Sequence, residues 1–271
     1  LTAARQPGPD QTDRLRAGYY GFSMRARTAI LLFGLAVGAG RAAASLPRHG
    51  PRLSRAPEHR RRGETVFLLH GIGKSHLDMV PLARALRRAG YDVVNWKYPS
   101  RRHSIPHLAN LLAQVVAAHP APRIHFVTHS MGGIVVRHYL SRHAPHGLGR
   151  IVMIAPPNRG AWLASRLAGW PLYERVFGPA GLDLREGEEG MCEVAGIPPC
   201  EFGIIAGGRG RRTGMMPFIP GDNDGIISVD TTRLDGEKDF IVLPYLHGLI
   251  QYMPRTIRCV LRFLETGRFG A

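Results

Sequence analysis

From Glu64 to the end of the chain, short continuous apolar runs alternate with stretches of helical periodicity. That alternation limits the fold more than any other feature. Thr65-Val66-Phe67-Leu68-Leu69 reads as a strand, and His76 to Ala89 as a helix stopped by Gly90. Asp92 to Trp96 predicts a second strand, Ile105 to Ala118 a second helix, and Ile124 to Thr128 a third strand. A helix is expected from Met131 to about Arg142. Strands are expected at Ile151–Ile154, Phe202–Ala206 and Asp239–Leu243, with an amphipathic helix over Pro254–Glu265. Strands apolar on both faces and separated by helices imply a mostly parallel central sheet flanked by helices, an α/β architecture. A hydrophobic fraction of 44% with 21% charged residues is enough to build the core that such a sheet needs.

Three patches at predicted strand ends carry chemistry. Thr128-His129-Ser130-Met131-Gly132-Gly133 joins a strand directly to a helix. A nucleophilic serine on so sharp a turn needs small neighbours, and the pattern is G-x-S-x-G with Thr128 in place of the first glycine. His70-Gly71-Ile72-Gly73 follows the first strand. Glycines there let the Ile72 N–H face the same point as the Met131 N–H, forming an oxyanion hole. His70 itself is read as ordering the loop. The third patch is Asp222-Asn223-Asp224-Gly225, followed by His247, the only histidine after His146. Asp224 is the expected acid, with Asp222 the alternative, and His247 the expected base. A calcium loop starting at Asp222 is excluded, because its last position is Arg233 where a glutamate is required.

On these motifs, residues 64–271 resemble the α/β-hydrolase fold superfamily, in its lipase-like bacterial branch with HG-x-G and HS-M-G-G. The resemblance implies a nucleophile at Ser130, an oxyanion hole at Ile72 and Met131, an acid at Asp224 and a base at His247. It implies cleavage of carboxylic esters, including lipid-like ones, through an acyl-enzyme, with no metal and no organic cofactor. An acyltransferase using the same three side chains and a non-catalytic binding protein of this fold are the alternatives. Trp162, Leu163, Leu167, Trp170, Leu172, Tyr173, Val176 and Phe177 crowd one apolar stretch. Residues 163–200 are therefore either a short cap or lid over the acyl pocket or a segment packed on the core.

The formal charge of +16 invites a nucleic-acid reading, but its distribution argues against one. Residues 1–62 hold 12 basic and 3 acidic side chains, whereas the remaining 209 hold 24 and 17. The expected partner is a small-molecule or lipid ester, not nucleic acid. Residues 1–23 read as a disordered or mis-started extension. Residues 24–44 have the basic, apolar and small-residue regions of a signal peptide, or of an anchor giving membrane association if uncleaved. Residues 45–63 form a Pro/Arg-rich linker. An exported protein is expected, and in an oxidising compartment Cys192 and Cys200 are expected to pair.

Overall fold

The computed structural model describes residues 63–270. The readings of an extension, leader and linker before residue 63 lie outside the described residues. Among the described residues, six strands form one parallel sheet: β1 (Glu64–Leu69), β2 (Asp92–Asn95), β3 (Arg123–His129), β4 (Leu148–Ile154), β5 (Phe202–Gly207) and β6 (Asp239–Leu243). Their order is β2-β1-β3-β4-β5-β6, and every pairing is parallel. The mostly parallel α/β sheet expected from the sequence is the one formed.

Side chains alternate across the sheet and build two cores. One face carries Phe67, Leu69, Phe126, Ile151, Met153 and Ile204. These pack beneath α2 (Ile105–Ala117) and α3 (Met131–Leu140). The opposite face carries Val66, Leu68, Val127, Val152, Ile154 and Ile205 under α1 (Val80–Arg88) and α6 (Pro254–Thr266). Most of these strand residues are wholly buried, which is why the strands read as continuous apolar runs rather than alternating ones.

Several boundaries differ from the sequence reading. The helix expected from His76 begins as a 3-10 turn over His76–Met79, and the α-helix starts only at Val80. Pro81 at its first turn lacks the N–H that would continue an α-helical ladder from the preceding residues. β4 begins at Leu148, before its apolar run, because Leu148 pairs with Ile124 across an irregular register.

Between β4 and β5 lies the irregular segment. It forms α4 (Trp162–Leu167) and α5 (Pro171–Asp183), the latter kinked at Gly178. Leu167, Tyr173, Ala180, Leu184, Cys192 and Ala195 of this segment are buried in the same core as the sheet. Cys192, Cys200 and Cys259 are all free, so the expected Cys192–Cys200 pairing is not formed. The reason is local: Cys192 is turned inward with its Sγ 3.8 Å from the Asp183 carbonyl, while Cys200 packs at the start of β5.

Candidate active site

In a parallel sheet all strands end on one edge, and the functional candidates follow the ends of β1, β3, β5 and β6. The strand order reverses between β1 and β3, the place where ligands bind in open α/β sheets. Leu69 of β1 lies opposite Thr128 of β3, so the turns after these two strands stand side by side. One holds Ile72 and the other holds Ser130 and Met131.

Ser130 adopts φ 54° and ψ −128°, a conformation rarely taken by a residue with a side chain. Its N–H donates to the Ile154 carbonyl at 2.8 Å, which fixes the turn on the edge of β4. Thr128, at the position usually held by glycine, is fully buried and is accommodated in the strand. Ile72 and Gly73 are the middle pair of a turn closed by the Lys74 N–H on the Gly71 carbonyl at 3.3 Å. Gly73 has φ +69°, which glycine supplies without steric cost. The Gly73 N–H donates to Ser100 Oγ at 3.2 Å. The Tyr98 hydroxyl donates to the His70 carbonyl, and the Tyr98 ring stacks on the His70 imidazole at 4.1 Å. His70 Nδ1–H donates to the Gly71 carbonyl at 2.8 Å, and burial lowers its pKa to about 4. His70 thus lies in the loop that it was expected to order.

Asp224 and His247 meet Ser130 although 117 residues separate the serine from the histidine. The Ser130 hydroxyl donates to His247 Nε2 at 3.0 Å. His247 Nδ1–H donates to Asp224 Oδ2 at 2.7 Å. The other carboxylate oxygen, Oδ1, accepts the N–H groups of Ile226 at 3.0 Å and Ile227 at 2.7 Å. Asp224 is fully buried, and Ser130 and His247 are each 5% exposed. The alternative acid, Asp222, instead accepts the N–H groups of Arg209 and Gly210 at 2.8 and 2.7 Å. Between them, Asn223 clamps the preceding loop through Met216, Ile219 and Gly221. Three consecutive residues thus face three different ways.

His247 sits in a turn, not in a helix or strand, and is held by its backbone. Its N–H donates to the Asp224 carbonyl at 3.0 Å, and its carbonyl accepts His129 Nε2–H at 3.0 Å. His129 is buried, and burial followed by the neighbouring His247 charge holds its pKa well below the usual histidine value. It therefore stays neutral as a donor. The sequence reading left His129 without a role. No sequence signal marks it, because its partner is a backbone carbonyl supplied by folding.

The arrangement places a hydroxyl on a base whose tautomer is set by a buried carboxylate. A hydroxyl so placed can give up its proton as it attacks an electrophilic carbon.

With this sheet and its flanking helices, the chain has an α/β-hydrolase fold. A family model described as alpha/beta hydrolase fold matches residues 64–178. Among solved structures, the mature lipase BlEst2 of Bacillus licheniformis is similar at 18% identity and a TM-score of 0.59. That likeness covers 77% of this chain and 94% of the other. The metagenomic carboxyl esterase MGS0156 is similar at 16% identity, covers 89% of each chain and gives a TM-score of 0.57. The type II thioesterase BorB, from the borrelidin biosynthetic cluster, is 19% identical over 76% of this chain and 93% of its own, with a TM-score of 0.50. At these identities the likeness is one of fold. No curated protein matches the chain.

Proposed function

We propose that this protein is a serine hydrolase that cleaves carboxylic esters. The observation carrying this reading is the hydrogen-bonded series Ser130–His247–Asp224, at 3.0 and 2.7 Å, on a serine held in a strained turn. In the first step Ser130 Oγ attacks the acyl carbon while His247 Nε2 takes its proton. Asp224 holds the imidazole tautomer and stabilises its charged form. The oxyanion lies between the N–H groups of Ile72 and Met131, the latter at the first turn of α3 where helical partners are lacking. His247 then returns the proton to the departing alcohol. Water, deprotonated by the same base, attacks the acyl-enzyme and releases the acid. The lipase and the carboxyl esterase among the fold relatives support the ester reading.

The test is labelling by a fluorophosphonate together with turnover of p-nitrophenyl esters of increasing chain length. Labelling should vanish in Ser130→Ala. Turnover should fall in Ser130→Ala and His247→Ala by about 10⁴-fold or more. A folded wild-type chain that neither labels nor turns over any of these esters would sink the reading.

A further inference from the structure

Only three of the 36 basic residues of this chain are lysine. Lys97 is exposed, and Lys238 is half-exposed and pairs with Glu201. Lys74 is different. It directly follows the Ile72–Gly73 turn, and its side chain is only 8% exposed. Its ammonium donates to the carbonyl of Gly248, the residue after His247, at 3.3 Å, and lies 3.6 Å from Asp78 Oδ1.

Asp78 is itself fixed from both turns. Its Oδ2 accepts the Ser75 N–H at 2.8 Å and the Ser75 hydroxyl at 3.1 Å. Its Oδ1 accepts the Tyr252 hydroxyl at 2.5 Å. The ammonium also stands 5.8 Å from the centre of the Tyr252 ring. Gly248 O has a second donor in Gln251 Nε2 at 3.1 Å. A polar cluster thus bridges residues 74–78, behind the oxyanion turn, and residues 248–252, behind the base. Those two segments come from opposite ends of the domain, and neither is held in the sheet.

We infer that Lys74 is a positioning residue that sets the oxyanion turn and the His247 turn at a fixed separation. This rests on the serine-hydrolase reading for its consequence in catalysis, but not for the coupling itself. A compact ammonium suits the place. It donates to the Gly248 carbonyl while its compact charge faces the Asp78 carboxylate at 3.6 Å, whereas a guanidinium is a planar fork on a longer reach. In a chain that otherwise uses arginine for nearly every cation, that requirement accounts for a lysine here. The expected effect is large because a shift of about 1 Å between reacting groups can cost about 100-fold in rate.

The experiment compares full-length wild type, Lys74→Met, Lys74→Arg and Tyr252→Phe. It reads steady-state kinetics on a soluble short-chain p-nitrophenyl ester and hydrogen–deuterium exchange by peptide. Lys74→Met should lower kcat by about 30- to 100-fold with KM within about threefold. Exchange should rise in both 71–75 and 246–252, and stay unchanged in 123–129. Lys74→Arg should remain at least about tenfold below wild type in kcat, and Tyr252→Phe should lie between wild type and Lys74→Met. Unchanged exchange in either turn of Lys74→Met overturns the coupling. A kcat within threefold of wild type in Lys74→Met, or restored by Lys74→Arg, overturns the role given to the ammonium. If Lys74→Met does not fold, Tyr252→Phe decides, and wild-type exchange and kcat in that variant overturn the inference. A wild type without esterase activity would end the hydrolase reading, while the exchange comparison still decides the coupling.

Discussion

Gly132 sits where an alanine would normally favour the start of a helix, yet a Cβ there would stand 2.8 Å from the Leu69 carbonyl and 2.9 Å from Leu69 Cβ. Both contacts belong to β1, just before the Ile72 turn, so α3 and that turn approach through this glycine. Gly132→Ala is therefore expected to destabilise the protein by about 1–3 kcal/mol, the usual cost of overpacking. It should also lower kcat by at least about tenfold, because α3 and the Ile72 turn must separate. Calorimetry and ester turnover check both, and a variant as stable and active as wild type would refute the packing argument. At this scale the sequence was informative for residues whose chemistry is unusual. Ser130 was marked by the strand-turn-helix context and small neighbours, and His247 by being the last histidine. Asp224 was the expected acid, but Asp222 stayed open as its alternative. Both are acidic and two positions apart, and only the loop direction at Asn223 sends one to the imidazole and the other to Arg209 and Gly210.

Among the elements, the insertion between β4 and β5 has the most to do with distant structure. Helix α2 starts at Ile105 after Ser104, a residue type suited to capping, but the Ser104 side chain makes no cap hydrogen bond. The first N–H of the helix, that of Ile105, donates instead to Asp183 Oδ2 at 2.6 Å, from the end of α5 and 78 residues away. Burial raises the Asp183 pKa although that hydrogen bond opposes the shift. Asp183→Ala is expected to cost about 1 kcal/mol, in line with loss of a helix cap. In a domain of this size that lowers the thermal midpoint by about 2–4 °C. Asp183→Asn, which keeps an acceptor, should recover most of it; equal midpoints for Asp183→Ala and wild type would refute the cap. The kink in α5 follows the same logic. A Cβ at Gly178, φ +63°, would come within 1.8 Å of the Arg101 carbonyl, so the helix bends where it meets the 99–103 loop. Helix periodicity showed the strands and helices around the insertion clearly. It could not show the insertion's path, since that path is set by contacts with residues 101 and 105, far away in sequence.

At the scale of the molecule, four histidines among the described residues have depressed pKa values with burial as the largest cause: His70, His125, His129 and His138. Glu64 partly offsets the shift at His125, where it hydrogen-bonds the ring at 3.0 Å. Above about pH 6.5 neither the folded nor the unfolded chain protonates these rings, and stability is complete. Below it the unfolded chain takes up protons that the folded chain refuses, so stability falls as pH drops toward the folded pKa, about 4 for His70. Asp183 and Glu186, raised by burial, act in the opposite sense but are fewer. The thermal midpoint should therefore fall steadily from pH 7 to pH 5; a flat or rising midpoint over that range would show that the buried rings protonate in the folded protein.

By itself, the sequence determined the parallel sheet and marked the strand ends where Ser130 and His247 lie. These follow from local periodicity, from turns that admit only small residues and from residue types with a single use. The tertiary structure alone decided the neutral His129 donor, the inward Cys192 and the Lys74 bridge. Each of those depends on which backbone carbonyl or carboxylate a distant segment delivers. Such deliveries are made by the whole packed sheet and leave no pattern along the chain.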